Sequence, residues 1–181
     1  MKIKNLTVSF DGKTVLDNVN LELPKGIYAI MAPSGRGKTT LLRAIAGLID
    51  YSGTIEGQGK TAMLFQDDRL LPWLTVKQNA ALVASDEAQA DYFLQRLGIA
   101  EEKNSGTNTL SGGMQRRVSI AQMLCYGGDT YLLDEPTRGL DDVNAQAVMR
   151  LILENTVGKT VIFATHSLEE AQKYADKIIH L

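Results

Sequence analysis

The chain has 181 residues, 44% hydrophobic and 22% charged, which suits one domain with a sizeable core and is too short for two large ones. No run approaches the roughly 18 apolar residues of a membrane span, and strand-like sequence begins directly with no signal peptide, so the expectation is a soluble protein whose membrane role comes through a partner. A net charge of −2 gives no general attraction to nucleic acid, the lone Cys125 makes no internal disulfide, and two histidines without a second cysteine make no zinc site, all of which fits the cytoplasm.

Lys2 to Phe10 alternates apolar and polar residues, and Asp11-Gly12 supplies a hairpin turn. Asn18 to Leu23 alternates again with Val19, Leu21 and Leu23 on one face, so the two segments read as an antiparallel pair. Pro24-Lys25-Gly26 breaks that pattern ahead of an apolar strand, Ile27 to Met31. The strand runs through Ala32-Pro33-Ser34-Gly35-Arg36-Gly37-Lys38-Thr39-Thr40 into a helix, Lys38 to Ala46, on which Leu41, Leu42 and Ile45 share a face before Gly47 stops it.

A strand that turns sharply into a helix aims the helix's free N–H groups at one point. Gly35 and Gly37 let the loop wrap a polyphosphate, Lys38 reaches the outer phosphates and the Thr39 hydroxyl suits a magnesium ion, with Ser34 and Thr40 in the same cradle. The usual pattern is G-x-x-x-x-G-K-[ST], and Ala32 stands where its first glycine would be, which tests whether that position needs a backbone angle only glycine tolerates. A glycine-rich turn before Lys-Thr is also a plain helix start. Strand, loop and helix nevertheless fall where binding of a nucleoside triphosphate wants them.

Gly53-Thr54-Ile55 and Thr61 to Phe65 read as short strands separated by Gly57-Gln58-Gly59. Thr75 to Val83 and Asp86 to Leu97 are helix-like, the latter with Ala90, Phe93, Leu94 and Leu97 at the spacing of a buried stripe, while Glu101 to Thr109 is polar and loop-like. From Leu110 helices and strands alternate: helix Gly113 to Tyr126, strand Thr130 to Leu133, helix Val143 to Thr156, strand Thr160 to Ala164, helix Ser167 to Tyr174 and strand Lys177 to Leu181. That order predicts an α/β fold with a mostly parallel sheet covered by helices, an N-terminal antiparallel β part and a small helical part at about 70–125, all in one domain over 1–181.

Tyr131-Leu132-Leu133 ends in Asp134-Glu135, two carboxylates at the carboxyl end of a parallel strand, where open α/β sheets bind ligands. Asp134 suits a magnesium shell, and Glu135 suits proton acceptance as water attacks a terminal phosphorus. Asp-Glu-Pro alone would more often open a surface loop, a reading weakened by the phosphate loop upstream. His166 follows the strand Val161 to Ala164 onto the same edge, where a histidine is as often a cap or a packed residue as a catalytic one. Gln66 ends another strand, and its amide can hydrogen-bond a water or complete a metal shell. Ser111, Gly112 and Gly113 precede a helix containing Gln115, Arg116 and Arg117, either as a second anion-seeking helix end or as an N-cap with a flexible lead-in.

Together these residues resemble the nucleotide-binding subunit of an ATP-binding cassette (ABC) transporter, a P-loop NTPase, over nearly the whole chain and in the family's order. Ala32 to Thr39 resembles its Walker A loop, Gln66 its Q-loop, Leu110 to Met114 its signature motif, Tyr131 to Glu135 its Walker B segment, Leu140-Asp141 its D-loop and His166 its switch histidine. The resemblance implies an ATPase working as a head-to-tail homodimer, with two ATP molecules between the Walker A of one subunit and Ser111, Gly112 and Gly113 of the other. It further implies Phe10 stacked on adenine, Lys38 and Thr39 on phosphate and Mg2+, Glu135 as general base and His166 on the terminal phosphate. A strand-end aromatic such as Phe10 is more often core.

Phe65-Gln66-Asp67-Asp68-Arg69-Leu70-Leu71-Pro72-Trp73 is similar to the corresponding stretch of nitrate, sulfonate and taurine importers. The family then implies a peripheral position on the inner face of the membrane, a permease docking over Leu71, Pro72 and Trp73, and a solute-binding receptor protein. Packing Trp73 into the helical part is the rival reading. Three features depart from the family pattern: Ala32, Met114 in place of the signature glutamine, and the stop soon after the switch region, which leaves an apolar sheet edge if Leu181 is the natural end. The first two bear on turnover and dimer closure and keep open a nucleotide-dependent regulatory or binding module with weak turnover. A soluble non-transport ABC ATPase acting on DNA or cofactor assembly is a third reading, against which stand the lack of a long heptad segment and of a basic stripe.

Overall fold

Apolar residues on alternate positions give the N-terminus its sheet. In β1 (Lys2–Phe10) Ile3, Leu6 and Val8 are buried, and β2 (Lys13–Glu22) pairs with it antiparallel from Phe10↔Lys13 to Lys2↔Glu22. Asp11 and Gly12 both have positive φ, 48° and 78°, as a tight hairpin turn requires. β2 begins at Lys13, ahead of the Asn18 start expected from alternation. Register shifts along the ladder, with Asn5 and Asn18 at φ 50°, break the period-2 pattern that alternation relies on. β4 (Ser52–Glu56) covers the other edge of β1, giving the order β2-β1-β4.

The computed structural model describes every residue except Ser34. These divide into two units, one of residues 1–63, 128–135 and 158–181 and one of 64–127 and 136–157. Besides the antiparallel sheet, the first unit holds most of a five-stranded sheet in the order β5-β6-β7-β3-β8, made of β3 (Gly26–Met31), β5 (Thr61–Leu64), β6 (Thr130–Asp134), β7 (Thr160–Ala164) and β8 (Lys177–His180). β6 pairs parallel with β7, and β3 runs parallel between β7 and β8. Every residue of β6 and β7 is buried, which is why both read as unbroken apolar runs. Leu41, Leu42 and Ile45 on α1 (Lys38–Ile45) join Leu6, Ile30, Leu132 and Ile162 in one core, and α6 (Leu168–Tyr174) completes the unit.

The second unit is helical. α2 (Val76–Ala81) and α3 (Glu87–Arg96) pack on α4 (Gly112–Tyr126), which also touches α5 (Asp142–Asn155). Ala90, Phe93, Leu94 and Leu97 form the expected buried stripe. The polar stretch before α4 is not a bare loop. It contains 3-10 turns at Ala100–Glu102 and Thr107–Thr109, and backbone bonds from Val76 to Ser105 and from Lys77 to Lys103 tie it to α2. Trp73 is 75% exposed, so it does not pack into the helical part. No helix among the described residues is long and apolar enough to cross a membrane.

Candidate functional site

In the first unit the register sets Ile30 of β3 and Asp134 of β6 on either side of Ala164 of β7, so three strands end in one row. Ligands of open α/β sheets bind at such carboxyl ends. The turn from β3 to α1 is closed by the Arg36 N–H donating to the Pro33 carbonyl at 3.2 Å. It requires glycine at Gly37, whose φ is 93° and where an added Cβ would lie 2.6 Å from Leu16 of β2. Gly35 is also left-handed, at φ 75°. Ala32 is not among the residues with positive φ, so the alanine meets no glycine-only angle. Ser34 lies outside the described residues.

Side chains cap the N-termini of α2, α3, α4, α5 and α6, through Thr75, Asp86, Ser111, Asp141 and Ser167 respectively. α1 has no side-chain cap, and its first turn, with the half-buried Thr39 and Thr40, presents backbone N–H groups suited to an anion.

Lys38 is 7% exposed and its ammonium donates to the Ala32 carbonyl at 2.7 Å. The same nitrogen lies 3.5 Å from His166 Nδ1, and His166 Nε2 lies 2.8 Å from Glu135 Oε1. An ammonium only donates, so the imidazole tautomer with its proton on Nε2 satisfies both contacts. Cation, imidazole and carboxylate thus form a chain from α1 to the ends of β6 and β7, able to hold an anion and to accept a proton beside it.

Two residues with no assigned role in the sequence brace His166: Thr165 Oγ1 donates to the Glu170 carboxylate and accepts from Ser167 N at 3.1 Å. The S-x-x-E spacing of Ser167 and Glu170, a capping-box signal, was the clue available. Asp134 is 2% exposed at the end of β6. Glu135 follows with φ 49°, its N–H donating to the Ala164 carbonyl at 3.0 Å. Phe10, at the end of β1, is 47% exposed and so lies on the surface rather than in the core.

The second unit carries Gln66, Ser111, Gly112 and Gly113. Gln66 and Gly112 come together on the wall of one cavity of 480 Å³, with Asp68, Arg69, Arg116 and Gly139. Ser111 Oγ caps α4 by accepting from Met114 N at 3.3 Å. A Cβ on Gly113 would sit 3.0 Å from the Gly139 carbonyl and 3.3 Å from the Leu140 side chain, so the tip of α4 fits closely against that loop. Asp141 caps α5, accepting from Asn144 N at 2.9 Å and Nδ2 at 2.7 Å, bonds that hold its carboxyl below its ordinary value. Arg116, which the sequence gives no task, is buried and bonded to the backbone at Phe65 and Pro136. Among the described residues no group of three or more His, Cys, Asp and Glu gathers to hold a metal.

Residues 16–138 match the family model described as ABC transporter. The aliphatic sulfonates import ATP-binding protein SsuB of Delftia acidovorans is 40% identical over 183 residues, covering 96% of this chain and 76% of that protein. The taurine import ATP-binding protein TauB of Jannaschia sp. (strain CCS1) is 35% identical over 204 residues, covering 99% of this chain and 76% of that one. A dimeric bacterial ABC transporter cassette superposes with a TM-score of 0.89 at 30% identity, over 99% of this chain and 93% of the other. The same cassette in a post-hydrolysis state with ADP and Pi gives a TM-score of 0.86 at 28% identity, over 99% and 93%.

Proposed function

This chain belongs to the ABC transporter family, and from that premise we propose that it is the ATP-binding and hydrolysing subunit of an importer, closing on ATP to drive a small solute through a partner permease. Residues 1–181 act as one ABC ATPase domain with a helical subdomain at about 70–125. The observation that carries the reading is the chain of contacts Lys38–His166–Glu135 at the carboxyl ends of the sheet.

Lys38 and the first-turn N–H groups of α1 hold the phosphates, with Gly35, Gly37 and Thr40 shaping the loop. Phe10, exposed at its strand end, stacks on adenine. Glu135 takes a proton from the attacking water, and His166, already hydrogen-bonded to Glu135, holds the terminal phosphate. Thr39, Asp134 and Gln66 offer only oxygen donors, and with few carboxylates at hand this set suits Mg2+, which takes one or two carboxylates plus phosphates and water. When bound, Mg2+ neutralises phosphate charge and orients the terminal group. Ser111, Gly112 and Gly113 of one copy face the nucleotide held by a second copy, so two chains make two complete sites.

The chain works at the inner face of the cell membrane by docking its permease over Leu71, Pro72 and the exposed Trp73. A solute-binding receptor protein supplies the cargo. The relatives' names make small organic sulfonates the first solutes to test.

The deciding experiment is Mg2+-dependent phosphate release by wild-type and Glu135→Gln protein. Loss of a general base is expected to lower turnover by about 10²–10⁴-fold and to trap an ATP-bound dimer. Equal rates in the two proteins would remove Glu135 from its role, and a wild type inactive with and without permease would overturn the ATPase reading.

A further inference from the structure

Arg116 is the largest fully buried side chain among the described residues. Arginine is almost never so buried unless paired, and its guanidinium is a rigid fork of donors. Here Nη1 donates to the Phe65 carbonyl and to Asp68 Oδ1 at 3.1 Å, while Nε donates to the Pro136 carbonyl at 3.2 Å. Ser119, one turn further along α4, donates to the Asp68 carbonyl at 2.7 Å. One helix therefore grips two loops of the second unit.

What those loops carry gives the grip its meaning. The Phe65 carbonyl shares a peptide plane with the Gln66 N–H, so a bond to the former fixes the latter. Pro136 directly follows Glu135, whose φ of 49° is an unusual conformation for a residue that a following proline steers towards extended backbone. Such a conformation persists only where its surroundings over-determine it. The Ala164 carbonyl holds the amino side of Glu135, and Arg116 holds the residue on its carboxyl side. Three residues before Arg116, Gly113 lies against the Gly139 carbonyl, so the tip of α4 meets the second loop at two places.

We propose that Arg116 is a positioning residue for ATP hydrolysis, fixing the peptide plane that carries the Gln66 N–H, and the carbonyl of Pro136 next to Glu135, to the helix whose tip bears Ser111, Gly112 and Gly113. The inference rests on the ATPase reading above. A shift of that tip against a second copy's nucleotide would then move both loops together.

The test compares wild type with Arg116→Lys, which keeps the charge and loses the fork, and Arg116→Gln, which loses both, as full-length chains. Backbone hydrogen exchange, thermal unfolding and steady-state ATPase kinetics are measured on each. The expected result for Arg116→Lys is exchange at least ten-fold faster in residues 65–69 and 137–140 with β6 and β7 unchanged, kcat at least ten-fold lower, and KM for ATP within three-fold. A purely structural role would instead speed exchange throughout the unit and lower kcat only by the unfolded fraction, and that result overturns the proposal. So does a folded variant with wild-type exchange at 65–69, or failure of both variants to fold, which assigns Arg116 to stability. An inactive wild type would overturn the ATPase reading and the inference with it. An active wild type beside an equally active Arg116→Lys would overturn the inference alone.

Discussion

Replacing Asn79 by alanine is expected to destabilise the protein by about 3 kcal/mol and to loosen the segment that carries Trp73. Asn79 is fully buried on α2, where its Oδ1 accepts from Leu71 N at 2.8 Å. Its Nδ2 lies 3.1 Å from the Leu71 carbonyl, 3.0 Å from that of Thr75 and 3.3 Å from that of Leu74. An amide has two hydrogens for these three carbonyls, so the side chain makes about three effective bonds, each worth about 1 kcal/mol net. In a domain of this size that lowers Tm by about 6–12 °C. Asn79→Asp keeps the acceptor but loses the donors and buries a carboxyl group, so it should cost at least as much. Urea unfolding followed by circular dichroism gives the stability. Fluorescence anisotropy of Trp73, the single tryptophan, gives the local motion. A loss below about 1 kcal/mol, or an unchanged anisotropy in a folded Asn79→Ala, would refute the argument that Asn79 fixes this loop.

Burial, with Asp86 adding to it, pushes the Cys125 thiol up to about 11 from an ordinary 9.0. At pH 8 its thiolate fraction is therefore about 100-fold below that of a free thiol, and alkylation by iodoacetamide should proceed only on unfolding; complete labelling of native protein within minutes would contradict this. Backbone and side-chain bonds from Lys60 and Lys159 hold the Asp129 carboxyl below its ordinary 3.8, as those from Asn144 do for Asp141. Both depressed groups add stability above that value and lose it as pH falls through their folded values, so an Asp129→Asn, Asp141→Asn double variant should show a flatter loss of stability below pH 3.8 than wild type. Parallel acid limbs in the two proteins would assign acid lability to other groups.

How much of this was legible in the sequence depended on whether physics acted locally. β6 and β7 were visible as apolar runs because both faces of a parallel sheet are covered. The ends of α4, α5 and α6 fell where Ser111, Asp141 and Ser167 bond to their own first turns. The start of β2 was hidden because bulges break alternation, and the seat of β4 beside β1 is a pairing of distant segments that no local window contains. Within the site, Lys38, Glu135 and His166 could be named from the strand ends they follow, but the contacts joining them belong to the folded sheet. Arg116 carries no local signal of its task, because its own helix turns it inward onto carbonyls 20 and 51 residues away along the chain.

The first unit is threaded from three separate stretches of chain, and this sets the order in which it can be made. β3 is flanked by β7 and β8, with Ile27 paired to Val161 and Ala29 to Ile178. At about 5–20 residues per second, the ribosome delivers those neighbours roughly 6–30 seconds after β3 has been made. The lysine-bearing turn is thus made well before it can be seated, and a nascent chain halted before residue 160 carries an apolar strand with neither flank in place.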